Sequence, residues 1–570
     1  MPEKKSPAQK KSNGSTKKAT GDAGPPSSSK GQAARPQSQR NLLLIGGAVV
    51  VGIVALFLFT RSKPADSMAS FMPANTALYF HLDLNELTST EMEEITKAFQ
   101  EASGEEVVEG EPDAFQQEIG DALGLDYEEL ISPWLGDQLG AGFLDVGSGA
   151  LSGDLDGKFI VVIESSDTGA ANAFLDELAA NAEEGGNTVT SSDYQGVRII
   201  ELGADVDLPA AAQGRGVVFL ADSAATIQAS LDLAASDSLT SLPRFADAVG
   251  GLGGGQLATV YVNLKEIMQE DTSGITPGLS PAYSAMLESS SFALGASVVP
   301  AGIQIEYVFS VDEALVPAAA LASLNAATEP ITTTERYPEG TLLFLGSKTT
   351  GFSPETLRES MGEEAYQDYA ESIDALSTSI GIDINNLLVA LDGEFSLGMF
   401  PQQAGIGAFT GGYGFQVLIT TSHDTELATF FADLAALLGS GMGMAPEPRT
   451  IANMASFVVS MPPGGDVLAI GSGSGVGYLT TDVSVVEDSA GAGYTSFADS
   501  EGFQKVKDAV GSNGHPVFYL DVASLVSLVQ QAGLSAEGLG GVAPLTAVAA
   551  AIEPFQGGSL RGVVIFFIER

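Results

Sequence analysis

The side chains best suited to proton transfer near neutral pH are three histidines, His81, His423 and His515, in a chain of 570 residues. Catalysis by any of them needs a carboxylate to orient the ring and a reacting group within hydrogen-bond reach. His423 has Asp424 beside it, and a site centred there would make the chain an exported hydrolase. The same pair at the start of an apolar-periodic run also suits a helix cap. The chain has no cysteine. That excludes disulfides, thiolate nucleophiles, cysteine-based zinc or iron–sulfur sites and a lipidated cysteine anchor.

Carboxylates offer a second route to chemistry. Asp126 precedes Tyr-Glu-Glu-Leu, and Asp383 precedes Ile-Asn-Asn-Leu. Both settings are those of an N-cap, where a side-chain oxygen accepts from the first free N–H groups of a helix. Asp247 and Asp508 each open an Asp-Ala-Val-Gly run, and Asn263 corresponds in position to Asp521. Gly153-Asp-Leu-Asp-Gly157 has the look of a calcium loop, but it lacks the glutamate at the twelfth position and carries Lys158 among the would-be ligands. A hairpin turn explains it better. No phosphate-binding loop, HExxH helix or GxSxG elbow occurs, and Gly471-Ser-Gly-Ser-Gly475 and Gly411-Gly-Tyr-Gly414 read as turns. No residue is therefore assigned a catalytic, cofactor-binding or metal-ligating role, and no cofactor is expected.

The elements that would position these groups occur twice. Phe159–Leu178, FIVVIESSDTGAANAFLDEL, aligns without a gap with Phe415–Leu434, FQVLITTSHDTELATFFADL. Alternating apolar residues at the start of each predict a half-buried strand. Phe174 and Leu178, like Phe430 and Leu434, then predict the buried face of a helix, with Ser166 and Ser422 as N-caps. Pro73–Tyr79 matches Pro338–Phe344, Leu135–Phe143 matches Leu391–Met399, and Tyr261 matches Tyr519. The histidines align with Gly346, Asp167 and Leu257, so none is shared. These matches predict two tandem units, 66–316 and 331–570, joined by a linker at 312–336. Within each, a βαββα order predicts an α+β fold of antiparallel sheet with helices on one face.

Charge and hydropathy set the surroundings. Residues 1–40 carry nine Lys and Arg against Glu3 and Asp22, without apolar periodicity, and are expected to be a disordered cytoplasmic tail. Leu42–Thr60 follows without a charge. As a helix it would span about 28 Å, so residues 41–61 are expected to cross the cytoplasmic membrane once. Ala48 and Gly52 offer a small-residue step for weak self-association there. Cleavage after Ser67-Met68-Ala69 is disfavoured, because the apolar run is longer than that of a signal peptide. The remainder holds all but two of the 72 acidic residues, and the whole chain has a net charge of −47. Such a body repels nucleic acid and suits high ionic strength.

FMPANTALYFHLDLNEL, from Phe71, and its echo GHPVFYLDVASLV, from Gly514, resemble a bacterial family of membrane-anchored proteins classed as a domain of unknown function. The resemblance covers the chain from about residue 70 onward and implies no activity, cofactor or site. The expected function is non-enzymatic binding or scaffolding in the cell envelope, towards an envelope protein or ligand that the sequence does not name. The exported hydrolase is the alternative.

Overall fold

The computed structural model describes residues 66–84, 94–99, 125–144, 157–203, 206, 208–270, 281–402, 412–442, 445–461, 465–491, 493–531 and 542–569. The basic segment 1–40, the apolar run 42–60 and most of the glycine–aspartate loop at 153–157 lie outside them. Among the described residues no helix is long and apolar enough to cross a membrane.

The strands of the first half are β1 (Leu78–Asp83), β2 (Leu135–Phe143), β3 (Phe159–Ser165), β4 (Thr190–Tyr194) and β5 (Val197–Glu201). After them come β6 (Ala210–Gly214), β7 (Val217–Ala221), β8 (Ala258–Asn263), β9 (Ser291–Val299) and β10 (Gly302–Ser310). The second half begins with β11 (Leu343–Thr349), β12 (Gly393–Pro401), β13 (Tyr413–Thr421), β14 (Glu447–Ile451) and β15 (Met454–Met461). It ends with β16 (Gly465–Gly473), β17 (Val476–Thr480), β18 (His515–Asp521), β19 (Leu545–Ile552) and β20 (Ser559–Ile568).

All twenty belong to one sheet, and every pairing is antiparallel. From one edge the order is β4-β5-β6-β7-β3-β2-β1-β8-β9-β10. Beyond that it continues β20-β19-β18-β11-β12-β13-β17-β16-β15-β14. The seam is the pair β10–β20, which runs from Gly302 opposite Phe567 to Ser310 opposite Ser559.

This corrects the expected fold. A membrane helix followed by two repeat units, each with its own sheet, is not what the described residues form, because β10 and β20 pair along their whole shared length and make one platform. An unpaired closing strand would leave a row of backbone donors and acceptors open, and pairing satisfies both rows at once.

Helices on one face only is a second correction. β7 is buried along its whole length, because its side chains alternate between two cores. Val217, Phe219 and Ala221 pack with Ile227 and Leu231 of the helix Ala224–Asp232 and with Phe245 of the helix Pro243–Gly251. Val218 and Leu220 point the other way, onto Phe174 and Leu175 of the helix Thr168–Glu184 and onto Trp134. A strand apolar on both faces needs cover on both. The second half does the same. Tyr478 and Leu418 lie in one core with Val485, Val486 and Phe503, while Ile419 and Ile470 lie in another with Leu427, Phe430 and Phe431 of the helix Asp424–Met442.

Turn chemistry fixes the outer hairpins. Gln195-Gly196, Arg215-Gly216, Ala452-Asn453 and Ser474-Gly475 all have positive φ at both positions, as a two-residue type I′ turn requires. Close approach fixes two inner glycines. A Cβ on Gly142 would strike Met72, and one on Gly398 would strike the ring of Tyr337, so both strands pass bare beneath a large buried side chain.

Candidate functional site

Among the described residues, polar side chains gather at β1 and again at the seam, as they do elsewhere along the sheet. The first is where the described chain begins. Period-two alternation puts Tyr79 and His81 on one face of β1, with His81 opposite Gly140 on β2 and Thr259 on β8. The short turn Met68–Phe71 lies over this face, and Asp66 stands at its head. Asp66 Oδ1 accepts from Met68 N at 3.0 Å, Ala69 N at 3.2 Å and the Tyr79 hydroxyl at 2.7 Å. Ser67 donates through both N–H and Oγ to Gln138 Oε1. His81 Nε2 lies 3.8 Å from Asp66 Oδ1, beyond a hydrogen bond.

The chemistry of this cluster is that of an anchor. Burial, followed by the nearby charge of Asp66 and the bond to it, pushes the Tyr79 hydroxyl well above its ordinary pKa. A tyrosine held protonated in this way is neither a base nor a nucleophile at neutral pH. The carboxylate already serves three donors, and among the described residues no base lies within hydrogen-bond distance of the Ser67 hydroxyl, which itself donates to an amide oxygen.

The second place is the seam. A cavity of about 300 Å³ lies along β10–β20, near the small end of ligand-pocket sizes. Its walls are the ends of two helices, Pro243–Gly251 and Glu501–Val510, one from each half of the sheet. Gln304, Glu306, Tyr307, Glu553 and Arg561 are among its polar lining residues. Glu306 Oε2 accepts from Gly253 N and Gln256 Nε2, both at 2.6 Å, and Oε1 accepts from Gln304 Nε2 at 3.0 Å. Glu306 therefore braces the loop after the first helix. Arg561 is exposed and makes no ion pair among the described residues. A neighbouring hollow, lined by Val299, Pro300, Lys505, Asp508 and Phe567, continues the cleft along the same strands.

The structure disperses the residues the sequence singled out. His81 is buried in β1. His423 stands just before the helix Asp424–Met442, where its carbonyl accepts from Leu427 N and its own N–H donates to Thr421 Oγ1 at 3.2 Å. His515 opens β18 opposite Ile552, and burial, then Lys348, lowers its pKa. Asp126 accepts from Glu129 N and Asp383 from Asn385 N, so both are N-caps. Asp521 likewise accepts from Ser524 N and Oγ, while Asn263 is buried. Asp247 and Asp508 are exposed. Ser166 is not the cap it was expected to be. Asp167 accepts from Gly169 N and Ala170 N, and Ser166 Oγ donates back to Leu135 O. A carboxylate outcompetes a hydroxyl as acceptor for two N–H groups at once. Among the described residues, no group of three or more His, Asp or Glu side chains is placed to hold a metal ion.

Glu306 and Arg561 carried no sequence signal beyond being charged residues inside apolar-alternating strands. That pattern, a lone charge in the closing strand of each half, was the available clue.

No curated protein matches this chain. Two solved structures, crystal forms III and I of TP0453, share 10% and 11% identity with it. They cover 45% and 44% of this chain and 82% and 80% of their own, with TM-scores of 0.22 and 0.19. Likeness at that level carries no argument. The family described as "Protein of unknown function (DUF3352)" matches residues 42–555, and the chain belongs to that family.

Proposed function

We propose that the chain is a non-enzymatic binding or scaffolding protein of the cell envelope. Residues 42–60 associate with the cytoplasmic membrane, the basic tail lies on the cytoplasmic side, and the acidic remainder lies outside. The sequence supports the location, through the lysine-rich tail and the uncharged run that follows it. One structural observation carries the binding role. The seam cleft is walled by both halves of the sheet, and its best-placed carboxylate, Glu306, is engaged by three donors rather than free to move protons. The cleft sits on paired strands of a twenty-stranded sheet, whose backbone hydrogen bonds hold its two walls in register.

The test is a photo-crosslinking residue placed at Gln304, in the cleft, or at Glu355, on an exposed helix surface, in the full chain within native membranes. A discrete adduct at Gln304 that Glu355 does not give supports the reading. Equal labelling at both positions, or none at Gln304, contradicts it.

A further inference from the structure

Among the described residues the sheet ends in two open edges, β4 and β14, and they differ. Each is the outer strand of a two-residue hairpin, with Tyr194 closing against Val197 and Ile451 against Met454. Such closing pairs exchange both backbone hydrogen bonds, and the pattern then alternates. Ser191 and Asp193 on β4 therefore turn N–H and C=O away from the sheet, as Pro448 and Thr450 do on β14. Proline has no N–H to offer. Next to it, Arg449 is paired with Asp466 and Glu447. The β14 edge is thus blunted by the devices that discourage strand addition. Thr190–Asp193 is exposed, contains no proline or lysine, and has no partner strand on its outer side among the described residues.

We infer that β4 is a self-association edge, pairing antiparallel with β4 of a second copy of this chain about a two-fold axis at Ser192. The seam β10–β20 is the precedent within the molecule, since this sheet already grows by antiparallel pairing of closing strands. Side chains select the register. Centred on Ser192, Asp193 faces Ser191 of the second copy, a carboxylate opposite a hydroxyl. Centred on Asp193, two carboxylates would oppose each other, which destabilises. Centred on Ser191, the pairing would need Val189, which lies outside the strand. Five residues a side fall well short of the ~1,200 Å² of a standard stable interface, so the association is concentration-dependent. The net charge of −47 weakens it further at low salt. This inference stands independently of the seam cleft.

The absence of cysteine makes the register directly testable in the full-length protein in mild detergent. Ser192 and its copy form a non-hydrogen-bonded pair with Cα atoms about 4.5 Å apart, within disulfide reach of ~4.4–6.8 Å. Under mild oxidation, Ser192→Cys gives roughly tenfold more disulfide dimer than Thr450→Cys on the blunted edge. Adding Ser191→Pro, which copies the β14 device, returns the yield to that of the control with an unchanged melting temperature. Thr190→Cys, which faces Tyr194 of the second copy, stays near the control and covers the case in which the proline disturbs folding. Equal yields at Ser192, Thr190 and Thr450 overturn the inference. So does a yield that survives a folded Ser191→Pro variant, or capture of a different protein in place of the second copy. Contact through residues 42–60 alone produces the equal-yield result.

Discussion

Gly302 of β10 lies so close to the backbone carbonyl of Phe566 on β20 that a Cβ would overlap it. Its φ of 140° is one that other residues rarely adopt. The two halves of the sheet meet here backbone to backbone, with no side chain able to move aside.

Gly302→Ala should therefore destabilise the protein by about 1–3 kcal/mol, combining overpacking with backbone strain. Gly250→Ala, where a Cβ meets only open space, should be neutral or slightly stabilising. Chemical denaturation of both variants checks the pair.

The Asp66–Tyr79 bond should show in a double-mutant cycle. Asp66→Ala leaves Met68 N, Ala69 N and the Tyr79 hydroxyl without their acceptor, at about 1–3 kcal/mol for each group that stays buried. Tyr79→Phe should cost less, and the two losses should not add, because one bond is shared. Denaturation midpoints of the two single variants and the double variant measure the coupling.

Alkaline pH should unfold the protein through its buried tyrosines. Burial pushes Tyr261 and Tyr519 up to about 12, and Tyr79 well above its ordinary value. A folded pKa raised above the unfolded value near 10 contributes stability that is complete below pH 10. It is lost as pH rises through the folded value. Melting temperature should thus hold level to about pH 9 and fall between 10 and 12. Tyr261→Phe should make the fall shallower.

Much of the local structure was legible in the sequence. Phe159–Leu178 reads as strand then helix because its apolar period changes from two to about 3.6, and Asp126 and Asp383 read as caps because each precedes a helical run. β4, Thr-Ser-Ser-Asp-Tyr, and β6, Ala-Ala-Ala-Gln-Gly, were missed. One is an exposed edge with no apolar alternation. The other packs alanines against both cores, which leaves no periodic signal. The seam was illegible for a different reason. Pairing Glu306 with Val563 is decided by two open backbone edges meeting, and no local pattern records which edge a strand will find. The seam cleft was hidden with it, since Gln304 and Arg561 come to line one cavity only when β10 and β20 pair.

The acidic charge should make stability depend on salt. At ~1 M NaCl the Debye length falls to ~3 Å, which removes most of the self-repulsion of a chain at −47, so the melting temperature should rise. Sodium chloride and magnesium chloride at matched ionic strength should act alike in thermal scans.

The claim that one sheet unites both halves is tested most directly by following Trp134 while damaging the other half. Trp134, the only tryptophan, is buried in the first half with its ring centroid 4.8 Å from that of Phe174. Phe430 lies in the second half, packed against the opposite end of the sheet. Phe430→Ala should cost about 3–5 kcal/mol, as a core phenylalanine does. If the platform unfolds as a unit, Trp134 fluorescence should report a single denaturation transition whose midpoint falls with that substitution. A Trp134 midpoint that stays at the wild-type value, while circular dichroism shows the second half melting early, would contradict it.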